Sequence, residues 1–211
     1  MKTQTASPNL HAEPTLIEPL SLASLDLIEV GDIIATASNA STSEGIQWAT
    51  NAEFSHAILY LRDGMAVDAM PGVGVRTQPL LTKLKGASRA VVFRHRNATR
   101  EQKALAVNWA AAQVGAGYDN VGAARVGLQF GSRTFPLRLT PIGHTISVVD
   151  EIAGAASDEW HDSSFFCSEL IFRAYEVAQA PIVPGRPHVA GPGALRKVRT
   201  VRCVGELTLV A

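Results

Sequence analysis

The sequence predicts an α+β protein in which a small antiparallel sheet, or an open barrel of strands, packs against helices. Three observations carry this. Phe54–Leu61 and Met65–Met70 are apolar, β-type runs joined by the turn Arg62-Asp63-Gly64. The segment from about Thr99 to Val114 has the N-cap and the composition of a helix. Phe165 to Ala178 repeats its apolar residues at helical spacing. With 211 residues, 46% of them hydrophobic and 18% charged, the chain can bury one sizeable core. One domain is expected over residues 25–211, after an arm at residues 1–24 whose Thr, Ser, Pro and Glu content predicts mobility.

Taken in order, Gly31-Asp32 predicts a turn that opens a strand at Asp32-Ile33-Ile34-Ala35. Ser41 to Thr50 reads as a short helix capped by Ser41 or Ser43, with Glu44 in its first turn. The hairpin Phe54–Met70 follows, and after the turn Pro71–Gly74 the run Gly74-Val75-Arg76-Thr77 extends the sheet. Arg89–Arg94 is a further strand. In the helix that begins at Thr99, Leu105, Trp109 and Ala112 are expected to share the buried face. The Gly-rich stretch at about 119–164 is long for a plain loop and reads as an insertion carrying short helices or a lid. Phe165–Ala178 is a helix with the stripe Leu170, Ile171, Ala174, Val177 and Ala178. A turn-rich tail containing Gly191-Pro192-Gly193 leads to a last strand at Lys197–Val204.

Charge excludes some partners. Lys plus Arg and Asp plus Glu number 19 each, so no net field draws the chain to nucleic acid or an anionic membrane. The cluster Arg94, Arg96 and Arg100 reads as a solvated strand end. His95, His144, His161 and His188 lack the spacing of a helical metal site and read as solvated loop residues. Gly115-Ala116-Gly117 and Gly191-Pro192-Gly193 lack the Lys-Ser/Thr of a phosphate loop, so no metal or cofactor is expected. Two cysteines, Cys167 and Cys203, fall far short of a disulfide scaffold, and no bridge is expected. Met1–Leu20 lacks the basic start and apolar stretch of a secretory signal, and no apolar run is long enough for a membrane span.

The chemistry concentrates on three residues. Cys167 falls in the first turn of a helix, where unpaired amides and the positive end of the dipole stabilise a thiolate. Its alternative role is a small buried hydrophobe beneath Phe165 and Phe166. His56 stands within an apolar strand, as a general base or as a structural histidine satisfied by a neighbour. Asp68 lies on the facing hairpin arm, toward the same end as His56, where a carboxylate would orient the imidazole; otherwise it is a solvated turn-flanking acid.

The ordered set Gly31-Asp32, Phe54-Ser55-His56, Val67-Asp68-Ala69, Gly117-Tyr118-Asp119 and Phe166-Cys167-Ser168-Glu169-Leu170 resembles the permuted branch of the NlpC-type papain-like superfamily. There the His-bearing strand precedes the Cys-bearing helix; lecithin retinol acyltransferase-like proteins share the permutation. The resemblance covers roughly Val30 to Ala178. It implies a circularly permuted papain-like fold, with Cys167 as nucleophile, His56 as base and then acid, and Asp68 at a third position often occupied by Glu, His or Asn. It also implies a substrate cleft near Tyr118, with Ser55, Phe166 and Ser168 as the expected substrate-binding neighbours.

The expected function is amide-bond hydrolysis through a thioester acyl-enzyme, with peptidoglycan stem peptides as the substrate the resemblance implies. A chain made in the cytoplasm without a signal peptide would then need a signal-independent route to a periplasm, as antibacterial type VI effectors have, with a secretion-machine partner and an immunity protein. Two alternatives stand beside it. One is an N-acyl or lipid amidase or acyltransferase, with Val126–Phe130 and Phe165-Phe166 lining an acyl channel. The other is a non-catalytic binding module in which Cys167 is structural.

Overall fold

The computed structural model describes residues 19–20, 27–38, 53–120, 122–123, 163–183 and 190–207. The strands are β1 (Pro19–Leu20), β2 (Ile33–Ser38), β3 (His56–Arg62), β4 (Met65–Met70), β5 (Gly74–Pro79), β6 (Ala87–His95), β7 (Gly117–Tyr118), β8 (Ser164–Phe165) and β9 (Val201–Leu207). The helices are α1 (Leu80–Leu84), α2 (Arg100–Ala112) and α3 (Cys167–Val177), and a 3-10 turn spans Pro192–Arg196.

Seven strands form one sheet in the order β1-β9-β6-β2-β3-β4-β5, and β7 pairs with β8 in a separate two-stranded ladder. Every contact in the large sheet is antiparallel except β1 with β9. Pro19 and Leu20, inside the expected mobile arm, pair with Glu206 and Leu207; residues 1–18 and 21–26 lie outside the described residues. The expected helix at Ser41–Thr50 and most of the 119–164 insertion, residues 124–162, also lie outside them.

Alternation along the strands splits the core in two. Ile33, Ala35, Ala57, Leu59, Val67, Ala69, Val91 and Phe93 face α2 and α3, while Ile34, Ile58, Ala66, Ala90 and Val92 face α1 with its Leu80 and Leu84. The carboxylate of Asp32, at the start of β2, is fully buried and takes both Nε and Nη2 of Arg94 at 2.8 and 2.7 Å. Arg94 is therefore not part of a solvated strand end: the buried acid needs a bidentate cation and β6 supplies it.

Three other expectations change. His95 is buried, stacks on Tyr175 with ring centroids 5.5 Å apart, and its Nδ1 accepts the amides of Asn97 and Ala98. It is a structural histidine at the end of β6; His144, His161 and His188 lie outside the described residues. On α2 the buried residues are Ala106, Val107 and Ala110, while Leu105 is exposed. Small side chains there let α2 lie close against α3. On α3 Val177 is exposed and Tyr175 is buried instead, because its phenol donates to the Gly31 carbonyl at 2.5 Å.

Candidate active site

Helix α3 begins at Cys167, with Phe166 as its N-cap in extended backbone. Phe166 has no acceptor to offer the first turn, so only the reverse half of a capping box forms: Glu169 Oε2 accepts Phe166 N–H at 3.2 Å. Leu170 N–H donates to the Phe166 carbonyl and closes the first turn. Cys167 thus occupies the first helical position, where backbone amides lack intrahelical acceptors and the dipole is positive.

The pairing of β3 with β4 makes room for this helix end. Its registered pairs are Leu59↔Val67, Tyr60↔Ala66 and Arg62↔Met65. Tyr60 directs its amide to Asp32 on the β2 side, so alternation turns the Ala57 amide toward β4. The described β3–β4 ladder ends two residues short of Ala57, and its N–H acts on the Cys167 thiol and lowers it. The Ser168 amide also reaches that sulfur.

His56 opens β3 and is 16% exposed, with Nε2 2.7 Å from Asp68 Oδ2. The charge of Cys167 and hydrogen bonding with its thiol both raise the imidazole, so the sulfur lies beside the ring. His56 therefore stands between Cys167 and Asp68. Asp68 is 1% exposed and receives two further donors: Lys83 Nζ at 2.5 Å from Oδ2, and Gln78 Nε2 at 3.3 Å from Oδ1. Arg76, its register partner on β5, brings Nε to 4.0 Å from Oδ1.

Electrostatics sort the charges along this line. Burial is the largest influence on Cys167 and raises its pKa, yet the imidazole's charge and hydrogen bond, with the Ala57 and Ser168 amides, bring the thiol below its ordinary value. For His56 burial again works against the charged form, but the Cys167 charge and the Asp68 hydrogen bond outweigh it and raise the imidazole. Asp68 is lowered: burial opposes ionisation, and His56 with Lys83 overcomes it. Both shifts favour the thiolate and imidazolium forms of the pair. Such a pair combines a nucleophile, a proton donor for a leaving group, and helix-end amides for an oxyanion.

Tyr118 is half-buried on β7, and its phenol is pushed up by burial and by the charges of Cys167, Asp119 and Glu169. It therefore lies near the sulfur. Glu169 is buried beneath the turn, and burial, opposed by the Phe166 amide and reinforced by Asp119, raises it to about 7. Ser55 is half-buried, with its hydroxyl 3.5 Å from the Thr36 carbonyl. The other two expected substrate contacts are buried. The Ser168 hydroxyl is wholly buried and donates to the Ala190 carbonyl at 2.9 Å. Phe166 is buried as the cap, its ring packed beside Gly122.

Sequence reasoning missed Lys83, Gln78 and Glu169. Glu169 carried a legible signal, an acid three residues after a helix start. Lys83 and Gln78 carried none, since neither belongs to a local pattern. Among the described residues no three His, Cys, Asp or Glu side chains converge as a metal-ligand set, and no helix is long and apolar enough to cross a membrane.

A central antiparallel sheet, a His-bearing strand that comes before the Cys-bearing helix, and a Cys167 thiol and His56 imidazole shifted toward their charged forms are the layout of a permuted papain-like cysteine hydrolase. Residues 27–123 match the family of permuted papain-like amidase enzymes described as YaeF/YiiX, C92. The crystal structure of the metalloprotein YiiX from Escherichia coli O157:H7 is similar in fold, with a TM-score of 0.53 and 18% identity over 84% of this chain and 97% of that one. No curated protein matches the chain.

Proposed function

We propose that Cys167 is the nucleophile, His56 the general base and acid, and Asp68 the residue that orients the imidazole in hydrolysis of an amide. The observation that carries this is the single line from the lowered Cys167 thiol through His56 to buried Asp68. The Cys167 sulfur adds to the carbonyl carbon, and the oxyanion faces the amides at the start of α3. The C–N bond breaks as the His56 imidazolium gives its proton to the leaving nitrogen, which leaves a thioester. Water then adds, gives a proton to His56, and the acid departs as the thiolate and imidazolium re-form.

For the substrate we favour the stem peptides of peptidoglycan, on the strength of the superfamily resemblance. Of the residues named for the acyl-channel alternative, Phe165 and Phe166 are both buried, Phe165 edge-on against Trp109, and Val126–Phe130 lie outside the described residues. In this reading the enzyme acts in a periplasm after signal-independent export, and the producing cell holds an immunity partner.

Purified sacculi incubated with the enzyme should release new amino termini, and Cys167→Ala should release none. An equal rate from that variant would overturn the assignment of Cys167. Expression directed to a periplasm should lyse cells while cytoplasmic expression does not; equal effects would refute the wall setting.

A further inference from the structure

The cation on the far side of Asp68 is tied to the same oxygen as His56. Lys83 Nζ is 2.5 Å and His56 Nε2 2.7 Å from Oδ2 of a carboxylate that is 1% exposed. We infer that Lys83 is a positioning residue of the active site, holding Asp68 in the place from which it orients His56. The inference rests on the reading of Cys167 and His56 as the reactive pair.

Lys83 arrives there by construction. It belongs to α1, whose Leu80 and Leu84 are buried against the second face of the sheet and whose first amide donates to the Gly64 carbonyl. Its side chain is only 10% exposed, and Nζ also touches Met70 Sδ. His56, Asp68 and Ile58 occupy alternate positions on this same sheet face, so the lysine meets the carboxylate from the side opposite α3.

The catalytic cycle gives this contact its use. While His56 is an imidazolium, Asp68 has a charged partner. Once the proton has passed to the leaving group, the imidazole is neutral and a buried carboxylate would be left without a cation. The Lys83 contact to Oδ2 does not depend on the proton of His56, so Asp68 keeps a partner and its place in both states. The ammonium also opposes the positive charge on His56 and makes the imidazolium a readier proton donor. Other groups facing this cluster are Arg76 from β5 and, on the sulfur side, Cys167 with Tyr118 beside it. Gln78 adds a neutral donor to Oδ1.

The test needs no substrate. The pH dependence of Cys167 alkylation by iodoacetamide in the full chain should show two transitions, a lower one from the thiol and an upper one from His56. In Lys83→Gln or Lys83→Met the upper transition should rise by at least about half a pH unit. Lys83→Arg should keep it at the wild-type position. Folding of each variant is checked by thermal melting. A wild-type profile with a single transition at the ordinary thiol value would sink the reactive-pair reading itself. Two wild-type transitions that a folded neutral variant leaves in place would overturn the role of Lys83 alone. If neither neutral variant folds, the wild-type Lys83 ammonium nitrogen is followed by NMR. Its shift should move at the upper transition, and an unmoved signal would overturn the inference.

Discussion

The backbone amide of Ala57, the residue that follows His56 on β3, lowers the Cys167 thiol. One short stretch of strand thus supplies both the imidazole that charges the thiol and an amide that holds the resulting anion. The strand can do so because its described pairing with β4 stops at Leu59↔Val67, which leaves the next outward-facing amide to the helix end.

That contact predicts selective labelling. Cys203 is a free thiol on β9 that burial raises above its ordinary value, whereas Cys167 is lowered. At pH 6, iodoacetamide should modify Cys167 well before Cys203, by peptide mapping. Preferential loss of Cys203 would contradict the thiolate–imidazolium pair.

The pH profile of hydrolysis follows from the same two groups. The active form carries a thiolate and a protonated imidazole, so activity should appear as pH rises through the lowered Cys167 value and fade as it rises through the raised His56 value. A bell-shaped kcat/KM profile is expected. A rate that only climbs with pH would exclude His56 as the proton donor.

Asp68→Asn keeps the shape but places a neutral amide between two positive neighbours. It should cost about 10²-fold or more in kcat while the protein stays folded. Steady-state kinetics beside a melting curve separate the two effects, and unchanged kcat would remove Asp68 from the machinery.

Glu169 predicts a stability signature. Its carboxyl is raised to about 7, so between its unfolded value and that point the folded state holds the extra proton, and stability falls as pH rises. Glu169→Gln keeps an acceptor for the Phe166 amide and removes the titration. Relative to wild type it should gain on the order of 3 kcal/mol between about pH 4.5 and pH 7.5, read from denaturant unfolding at each pH. A constant difference across that range would refute the assignment.

Tyr175→Phe deletes the donor to the buried Gly31 carbonyl. It should cost about 1–3 kcal/mol in unfolding experiments without changing the Cys167 alkylation profile. A shifted profile would mean that this contact reaches the site.

Much of this protein is legible from the chain. The hairpin Phe54–Met70 is visible because apolar residues cluster on either side of Arg62-Asp63-Gly64, and it runs as β3 and β4 with Asp63 and Gly64 at positive φ. Thr99 caps α2 through a full capping box with Gln102. Cys167 falls at a helix start because the apolar spacing that follows it is helical, and the order of His56 and Cys167 is a property of the sequence alone.

Tertiary structure decided the rest, because it depends on residues far apart in the chain. Nothing near Asp68 in sequence announces that Lys83 will share its oxygen, and nothing near Arg94 announces Asp32. A buried carboxylate must find a cation wherever the fold can bring one. The roles of Ser168 and Phe166 were likewise set by packing, which turned one hydroxyl to Ala190 and one ring into the core. Local periodicity and residue chemistry single out Cys167, His56 and Asp68 as candidates and give their order along the chain. Only the packed sheet decided which charges meet, because a single fold fixes distances that no local pattern encodes.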